Sequence, residues 1–382
     1  MYIKRSLSSA LNKPRKSVLL LGPRQTGKST LIETLKPDLT INLAHEPTFI
    51  EFAKNPNELE QRINLNKMKT IFLDEVQRLP SLLNTVQVLA DKHKDSIKFF
   101  LTGSSARKLK RGKANLLPGR ILVYYLGTLS ASELNYNVDL SIALETGVLP
   151  GIYIEKETAM RKKILQSYSI TYLKEEIQAE ALTRNIEGFS RFLYAASALS
   201  GNFLDISKLA SQAQVPRESA VRYFEILEDT LIVRRCEAFS KNVRKRLIQH
   251  PRFYFFDIGV LNALLNNFTA SADRIGLLFE HFFFNQLVSS AWAKDQDIQI
   301  STFRTQHGAE VDFIVEFDNK IWAIELKAST HVQSLDKRGF KSFSEYYQYP
   351  HKTCIAYMGS IAKKIGDTDL LPWQKVLQEM GL

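Results

Sequence analysis

Ser17-Val18-Leu19-Leu20-Leu21 runs straight into Gly22-Pro23-Arg24-Gln25-Thr26-Gly27-Lys28-Ser29, and Thr30-Leu-Ile-Glu-Thr-Leu continues at helical spacing. The residues from Gly22 to Ser29 match G-x-x-x-x-G-K-[ST] without a gap, between an apolar strand and a helix, which is the context this motif requires. Backbone N–H groups of such a loop, with the positive end of the helix behind them, wrap a β-phosphate. The lysine reaches the β- and γ-phosphates and the serine hydroxyl coordinates Mg²⁺. The expected nucleotide contacts are Gly22, Pro23, Arg24, Gln25, Thr26, Gly27, Lys28, Ser29 and Thr30, with ATP and Mg²⁺ as cofactors. A Gly-rich turn that only joins strand to helix is the plain alternative.

Downstream, Thr70-Ile-Phe-Leu-Asp74-Glu75 is an apolar strand that ends in two carboxylates. Neighbouring side chains at a strand end point in different directions. Asp74 can therefore serve Mg²⁺ together with Ser29, while Glu75 acts on the attacking water. Phe99-Phe-Leu-Thr102-Gly103-Ser104-Ser105 ends a further strand in hydroxyls, of which Thr102 or Ser104 is expected beside the γ-phosphate. A basic stretch, RKLKRGKANLLPGR, follows and ends in Arg120. Enzymes of this kind stabilise transition-state charge with an arginine from a neighbouring subunit. Arg120 is the first candidate and Arg107 the second, against the reading of a solvated basic loop.

Apolar runs separated by polar or helical stretches between residues 17 and 105 predict a doubly wound parallel sheet. From about 130 to 238 apolar residues recur at helical spacing, so the middle reads as helical. Strand-like runs return from Phe253 (FYFFD, VDFIVEF, KIWAIELK, TCIAYM), with a helix over 274–292. The fold expected is α/β in three domains: a P-loop domain over 1–130, a helical domain over 131–245 and a small α/β domain over 246–382. Hydrophobic residues at 45% and charged residues at 24% exclude a disordered or fibrous chain. A net charge of +11 attracts polyanions, with DNA the first to test. Cys236 and Cys354 stand alone, without metal-ligand spacing. No apolar run is long enough for a membrane span or a signal segment, so a cytoplasmic protein that keeps off membranes is expected.

Taken together, GPRQTGKS, IFLDEVQ, LTGSSA, LPGR with LSASEL, LPGIY, FYFFDIGVLNAL, GLLFEHFFFNQL, GAEVDFIV and AIELK carry a resemblance over almost the whole length. The chain resembles the bacterial and archaeal AAA-type ATPases, of the AAA+ superfamily, that carry a conserved C-terminal domain of unknown function. The resemblance implies an AAA-like nucleotide-binding core, a middle with a winged-helix-like unit, and a C-terminal module similar to the restriction-endonuclease fold. It implies ATP binding through Gly27, Lys28, Ser29, Asp74 and Glu75, and it names no substrate.

Within the middle, residues 206–216 and 219–227 read as helix, tight turn, helix around a small core. A winged helix presents its second helix to DNA, which would expose Arg217 and Arg222, although acidic residues interrupt that face and the same unit also serves for protein packing. Arg244, Lys245 and Arg246 form the densest basic run and are the stronger phosphate-binding candidates. In the last domain, Asp312 is followed by Glu325-Leu-Lys327 on the next strand, and Glu280 lies on the preceding helix. The tetrad resembles that of restriction-endonuclease-like nucleases, with Glu280, Asp312 and Glu325 as Mg²⁺ ligands and Lys327 at the edge facing DNA. Cleavage, DNA binding without cleavage, and an ordinary salt-bridged hairpin are the three outcomes, and Glu310 competes for the metal. The leading expectation is an ATP-hydrolysing machine that remodels or moves along DNA, branched DNA included, as a homo-oligomer, with a ring among its forms. The alternatives are an ATP-controlled switch for protein partners and an ATP-gated nuclease.

Overall fold

Strand β1 (Ser17–Leu21) has every residue buried and lies inside a five-stranded sheet of order β2-β3-β4-β1-β5. Its companions are β2 (Leu39–Asn42), β3 (Thr70–Asp74), β4 (Lys98–Gly103) and β5 (Ile121–Tyr125), and all four pairings are parallel. The computed structural model describes residues 2–65, 68–93, 96–104, 119–169, 185–240, 250–332 and 337–382. These fall into two compact units, one of residues 1–129, 229–232 and 292–295, the other of 130–228, 233–291 and 296–382.

In the first unit, alternation along the strands divides the apolar side chains between two faces. Val18, Leu20, Phe72 and Phe100 pack with Leu31 and Ile32 of the helix Lys28–Glu33. Leu19, Leu21, Ile71 and Leu73 join Phe52, Leu59 and Val86 from the helices on the other face. Parallel strands need cover on both faces, and near-continuous apolar runs such as VLLL and TIFL supply it. The register Ser17↔Ile121 to Leu21↔Tyr125 makes β5 a fifth strand that the sequence reading did not identify.

The second unit begins with helices, among them Leu140–Thr146, Ile186–Ala198, Ile206–Ala213 and Ile258–Leu264. Asp139, Asn185, Asp205 and Asp257 precede these four, and each side chain accepts a backbone N–H of the first turn. Each such cap stabilises its helix by about 1 kcal/mol. Gln214, with φ 52°, closes the helix Ile206–Ala213 in the left-handed region, and the helix Arg217–Asp229 follows Pro216. Residues 233–238, expected to continue the helical pattern, instead form β6 (Val233–Ala238). It pairs antiparallel with β7 (Arg252–Phe255) and parallel with β8 (Gln299–Arg304). These pairings come from distant parts of the chain and override the local pattern.

An eight-stranded mixed sheet completes the unit in the order β12-β13-β11-β10-β9-β8-β6-β7. Its remaining strands are β9 (Glu310–Phe317), β10 (Lys320–Lys327), β11 (Lys352–Tyr357), β12 (Lys363–Ile365) and β13 (Thr368–Pro372). On one face Phe313 meets Phe283 of the helix Ile275–Ala293, with ring centroids 6.4 Å apart. Its sequence neighbour Ile314 points to the other face, into a cluster with Phe303, Phe340 and Phe343. Cys236 and Cys354 are free and buried. Among the described residues, no helix is long and apolar enough to cross a membrane.

Candidate functional site

The loop after β1 is held in shape by its own backbone demands. Gly27 has φ 88°, a conformation that side chains with a Cβ rarely adopt. A Cβ on Gly22 would stand 2.2 Å from the Leu126 carbonyl oxygen, so only glycine fits there. Lys28 is buried, and its Nζ donates to the carbonyls of Gly22 and Pro23, each at 2.8 Å. Thr26 Oγ1 donates to the Pro23 carbonyl at 2.9 Å. Arg5, which the sequence reading passed over, donates to the Thr26 carbonyl at 2.6 Å and to the Gly127 and Thr128 carbonyls at 3.0 and 3.2 Å. A buried guanidinium thus ties the N-terminal segment to the loop and to the exit of β5. Its partners are 21 and more than 120 residues away, which no local pattern reveals.

Ser29 and Asp74, 45 residues apart, meet: the Ser29 hydroxyl donates to Asp74 Oδ1 at 2.8 Å. Parallel pairing puts the end of β3 beside the end of β4, where Thr102 Oγ1 donates to the same Asp74 oxygen and accepts the Glu75 N–H at 3.2 Å. Glu75 itself is left-handed, with φ 58° and ψ 45°, so the chain turns sharply after Asp74 and the two carboxylates diverge. A left-handed non-glycine residue costs on the order of 1 kcal/mol, a cost that the surrounding contacts must offset. Glu75 accepts a hydrogen bond from Gln77 Nε2, which also donates to Ser104 Oγ at 3.0 Å. The structure therefore gathers Lys28, Ser29, Asp74, Glu75, Thr102 and Ser104 at the C-terminal ends of β1, β3 and β4. A serine hydroxyl and a carboxylate oxygen that already touch are hard oxygen donors, the set that suits Mg²⁺.

Arg120 stands apart from this group in its own chain. It precedes β5, whose first residue pairs with Ser17, at the opposite end of β1 from the phosphate loop, and its Nε bonds Asp91 Oδ1 at 2.5 Å. Ser105, Arg107, Arg244, Lys245 and Arg246 lie outside the described residues. Arg217 and Arg222 are both exposed on the helix Arg217–Asp229, and Arg217 Nε donates to Ser207 Oγ at 3.4 Å.

In the second unit a cavity of about 260 Å³ is lined by His307, Glu310, Asp312, Glu325, Lys327 and Arg338 among others. Asp312 Oδ2 accepts the Leu326 N–H at 2.8 Å, and burial together with the charge of Glu280 pushes its carboxyl up to about 7. Lys327 Nζ is 3.8 Å from Glu325 Oε2. Glu280 has other partners: it accepts from Arg252 Nη1 at 2.8 Å and from the Tyr254 hydroxyl at 2.6 Å. Arg252 also pairs with Glu310. So the cavity unites three of the four tetrad residues, while Glu280 faces an arginine that the sequence reading did not single out. Among the described residues, no group of three or more His, Cys, Asp or Glu is arranged to hold a metal ion.

Beside Glu280, His281 is fully buried, and its Nε2 donates to the Phe255 carbonyl at 2.6 Å. Burial lowers its imidazole to about 4, although that hydrogen bond works the other way. The unfolded chain takes up this proton near pH 6.5 and the folded chain only near 4, so stability is full above 6.5 and falls as pH drops through that window. The expected loss from this one group is about 3 kcal/mol. His281→Gln, which keeps a donor for Phe255, should flatten that part of the stability curve in urea unfolding between pH 7 and 4. An unchanged slope in the variant would dismiss the assignment.

The first unit has the parallel sheet, phosphate loop and paired carboxylates of an AAA-type P-loop domain, and residues 14–135 match a family described as an AAA domain. Such a domain binds nucleotide. Residues 137–271 and 275–376 match two families described as domains of unknown function, DUF8612 and DUF4143. The chain is 26% identical over 320 residues to the uncharacterized proteins Mb2031c of Mycobacterium bovis and Rv2008c of Mycobacterium tuberculosis, spanning 82% of this chain and 70% of each of those. Among solved structures it is similar to a chain from a study of forked DNA unwinding by two coordinating Pif1 helicases, at 12% identity, 44% of this chain, 52% of that one and a TM-score of 0.24. It is also similar to a Pyrococcus horikoshii signal transduction ATPase with numerous domains and a tetratricopeptide repeat sensor, at 13% identity, 76% of this chain, 47% of that one and a TM-score of 0.25. At these scores the two structural likenesses carry no argument.

Proposed function

We propose that the chain is a Mg²⁺-dependent ATPase that acts on DNA as a homo-oligomer. The observation that carries the ATPase reading is the 2.8 Å contact between Ser29 and Asp74, with Thr102 on the same carboxylate oxygen. In this reading the loop from Gly22 to Thr30 holds the phosphates, Lys28 neutralises β- and γ-oxygens, and Ser29 and Asp74 hold the metal. Mg²⁺ supplies charge neutralisation between the β- and γ-phosphates. Glu75 takes the proton of the attacking water, and Ser104 lies near the γ-phosphate. Arg120, at the far end of its own sheet, acts on a neighbouring subunit. The working division is a P-loop domain over 1–130, a middle over 131–245 and a C-terminal domain over 246–382, although β6 and β7 pair across the second boundary.

The DNA reading is supported by the +11 charge and by the sequence of elements in the middle: two helices joined by a tight turn, then an antiparallel strand pair. In sequence Arg244, Lys245 and Arg246 come between residues 238 and 252, and Arg217 and Arg222 are exposed on the second helix. A second reading, metal-dependent cleavage in the C-terminal module, rests on the cavity that brings Asp312, Glu325 and Lys327 together.

One experiment separates these. Phosphate release is measured at rising protein concentration with ATP and Mg²⁺, with and without duplex, single-stranded and branched DNA across a salt series. The expected result is turnover that rises per subunit with concentration, is lost in Lys28→Ala together with ATP binding, and responds to DNA in a salt-dependent way. Undiminished ATP binding by Lys28→Ala would refute the nucleotide site. A concentration-independent rate removes the oligomer, and indifference to every DNA removes the DNA role. Intact DNA with Mg²⁺ or Mn²⁺ excludes the nuclease.

A further inference from the structure

We infer that Gln77 is a positioning residue for ATP hydrolysis, holding the Glu75 carboxylate in place, an inference that rests on the ATPase reading above. Gln77 lies in a single helical turn, Val76–Arg78, that begins directly after the left-handed Glu75. That turn brings the Gln77 amide back onto the carboxylate two residues before it, and Nε2 donates to Glu75 Oε2 and to Ser104 Oγ. A primary amide carries two N–H groups on Nε2, and both are used. The reverse orientation of the amide would set its oxygen against a carboxylate, so only one arrangement is stable. Gln77 is 3% exposed, which leaves its clamp little room to swing.

The rest of the amide shows that this side chain is not present for packing. Among the described residues, its buried Oε1 has no hydrogen-bond partner. A buried acceptor without a donor costs stability, and leucine would fill similar space without that cost. What Gln77 contributes beyond a leucine is the pair of bonds made by Nε2. The anchor at the other end is also informative. Thr102 lies near the end of β4 and Ser104 is the first residue beyond it. Thr102 fixes Asp74 directly, and Ser104 fixes Glu75 through Gln77. One strand end thereby orients both carboxylates, the one assigned to the metal and the one assigned to the water. A base must lie within hydrogen-bond reach of the proton it takes, and loss of the clamp lets Glu75 leave that position.

The test uses the full chain with ATP and Mg²⁺. Gln77→Leu should melt at the wild-type temperature or above and keep the ATP KM within about threefold, while kcat falls roughly tenfold or more. In the Glu75→Gln background, Gln77→Leu should remove nothing further, because the group it positions no longer takes a proton. Ser104→Ala, a small truncation with little risk to folding, should lower kcat in the same direction by a smaller factor. Wild-type kcat in Gln77→Leu or in Ser104→Ala, with Glu75→Gln inactive, overturns this inference alone. An additive loss in the double variant also overturns it. Wild-type turnover in Glu75→Gln overturns the role of Glu75 and this inference with it. A lowered kcat accompanied by an equal rise in KM would make Gln77 a nucleotide-binding residue instead and count against it.

Discussion

Glu75→Gln should bind ATP as the wild type does and hydrolyse it roughly 10²–10⁴ times more slowly, the range that a positioned general base contributes. The substitution keeps the length and planarity of the side chain. It leaves untouched Ser29, Asp74 and Lys28, which make the hydrogen bonds of the phosphate loop and the metal-side carboxylate. Only proton acceptance is removed. Contrast with Lys28→Ala makes the assignment sharp: one variant should lose nucleotide affinity, the other turnover alone. Equilibrium ATP binding and steady-state phosphate release, measured on both proteins, give the two quantities. If Glu75→Gln turns over at the wild-type rate, the proton is taken by another group and the assignment to Glu75 is wrong.

The phosphate loop was legible because its chemistry is contiguous: eight residues running from the end of a strand into the first turn of a helix state their own geometry. Asp74 and Glu75 were legible for a similar reason, since an apolar strand ending in carboxylates needs no partner to be noticed. Two kinds of feature escaped. Strand β5 has exposed Leu122 and Val123, and β1, its partner among the described residues, lies about a hundred residues earlier. β6, with the sequence VRRCEA, has no strand-like alternation and becomes one through β7 and β8. The residues that hold others in place escaped for the same physical reason. Arg5 acts on carbonyls across the fold, Gln77 acts through a turn whose left-handed first residue is not written in its own side chain, and Arg252 answers carboxylates 28 and 58 residues away. Motifs name the groups that meet a ligand, and the groups that orient them are found only by contact.

Arg252 carries the largest expected effect on stability. Its side chain is 10% exposed and pairs with both Glu280 and Glu310, Tyr254 adds a hydrogen bond to Glu280, and the guanidinium lies 5.1 Å from the centre of the Phe203 ring. Burial alone would lower its basicity, but the charges of Glu280 and Glu310 hold it above the ordinary value. Burial raises the carboxyl of Glu280, and Arg252 opposes that rise. The arginine is the cation that makes this group of carboxylates tolerable, so Arg252→Met leaves the half-buried Glu280 and Glu310 without the counter-charge they share. Breaking a buried pair from one side costs about 3–5 kcal/mol, which for a unit of this size lowers the melting temperature by roughly 10 °C. Glu280→Gln in the same chain should return part of that loss, because it removes a charge that the first change left unpaired. Thermal melts of the two single variants and the double variant measure the coupling. A strictly additive result, or a loss under about 1 kcal/mol in Arg252→Met, would mean that solvent already screens the group as it does an exposed ion pair. Millimolar Mg²⁺ provides a further contrast: if it raises the melting temperature of Arg252→Met and not that of the wild type, the arginine occupies the place of a divalent cation among these carboxylates. The metal-dependent reading of the cavity would then require Arg252 to move, and without that response the guanidinium is simply the permanent counter-charge of the cluster.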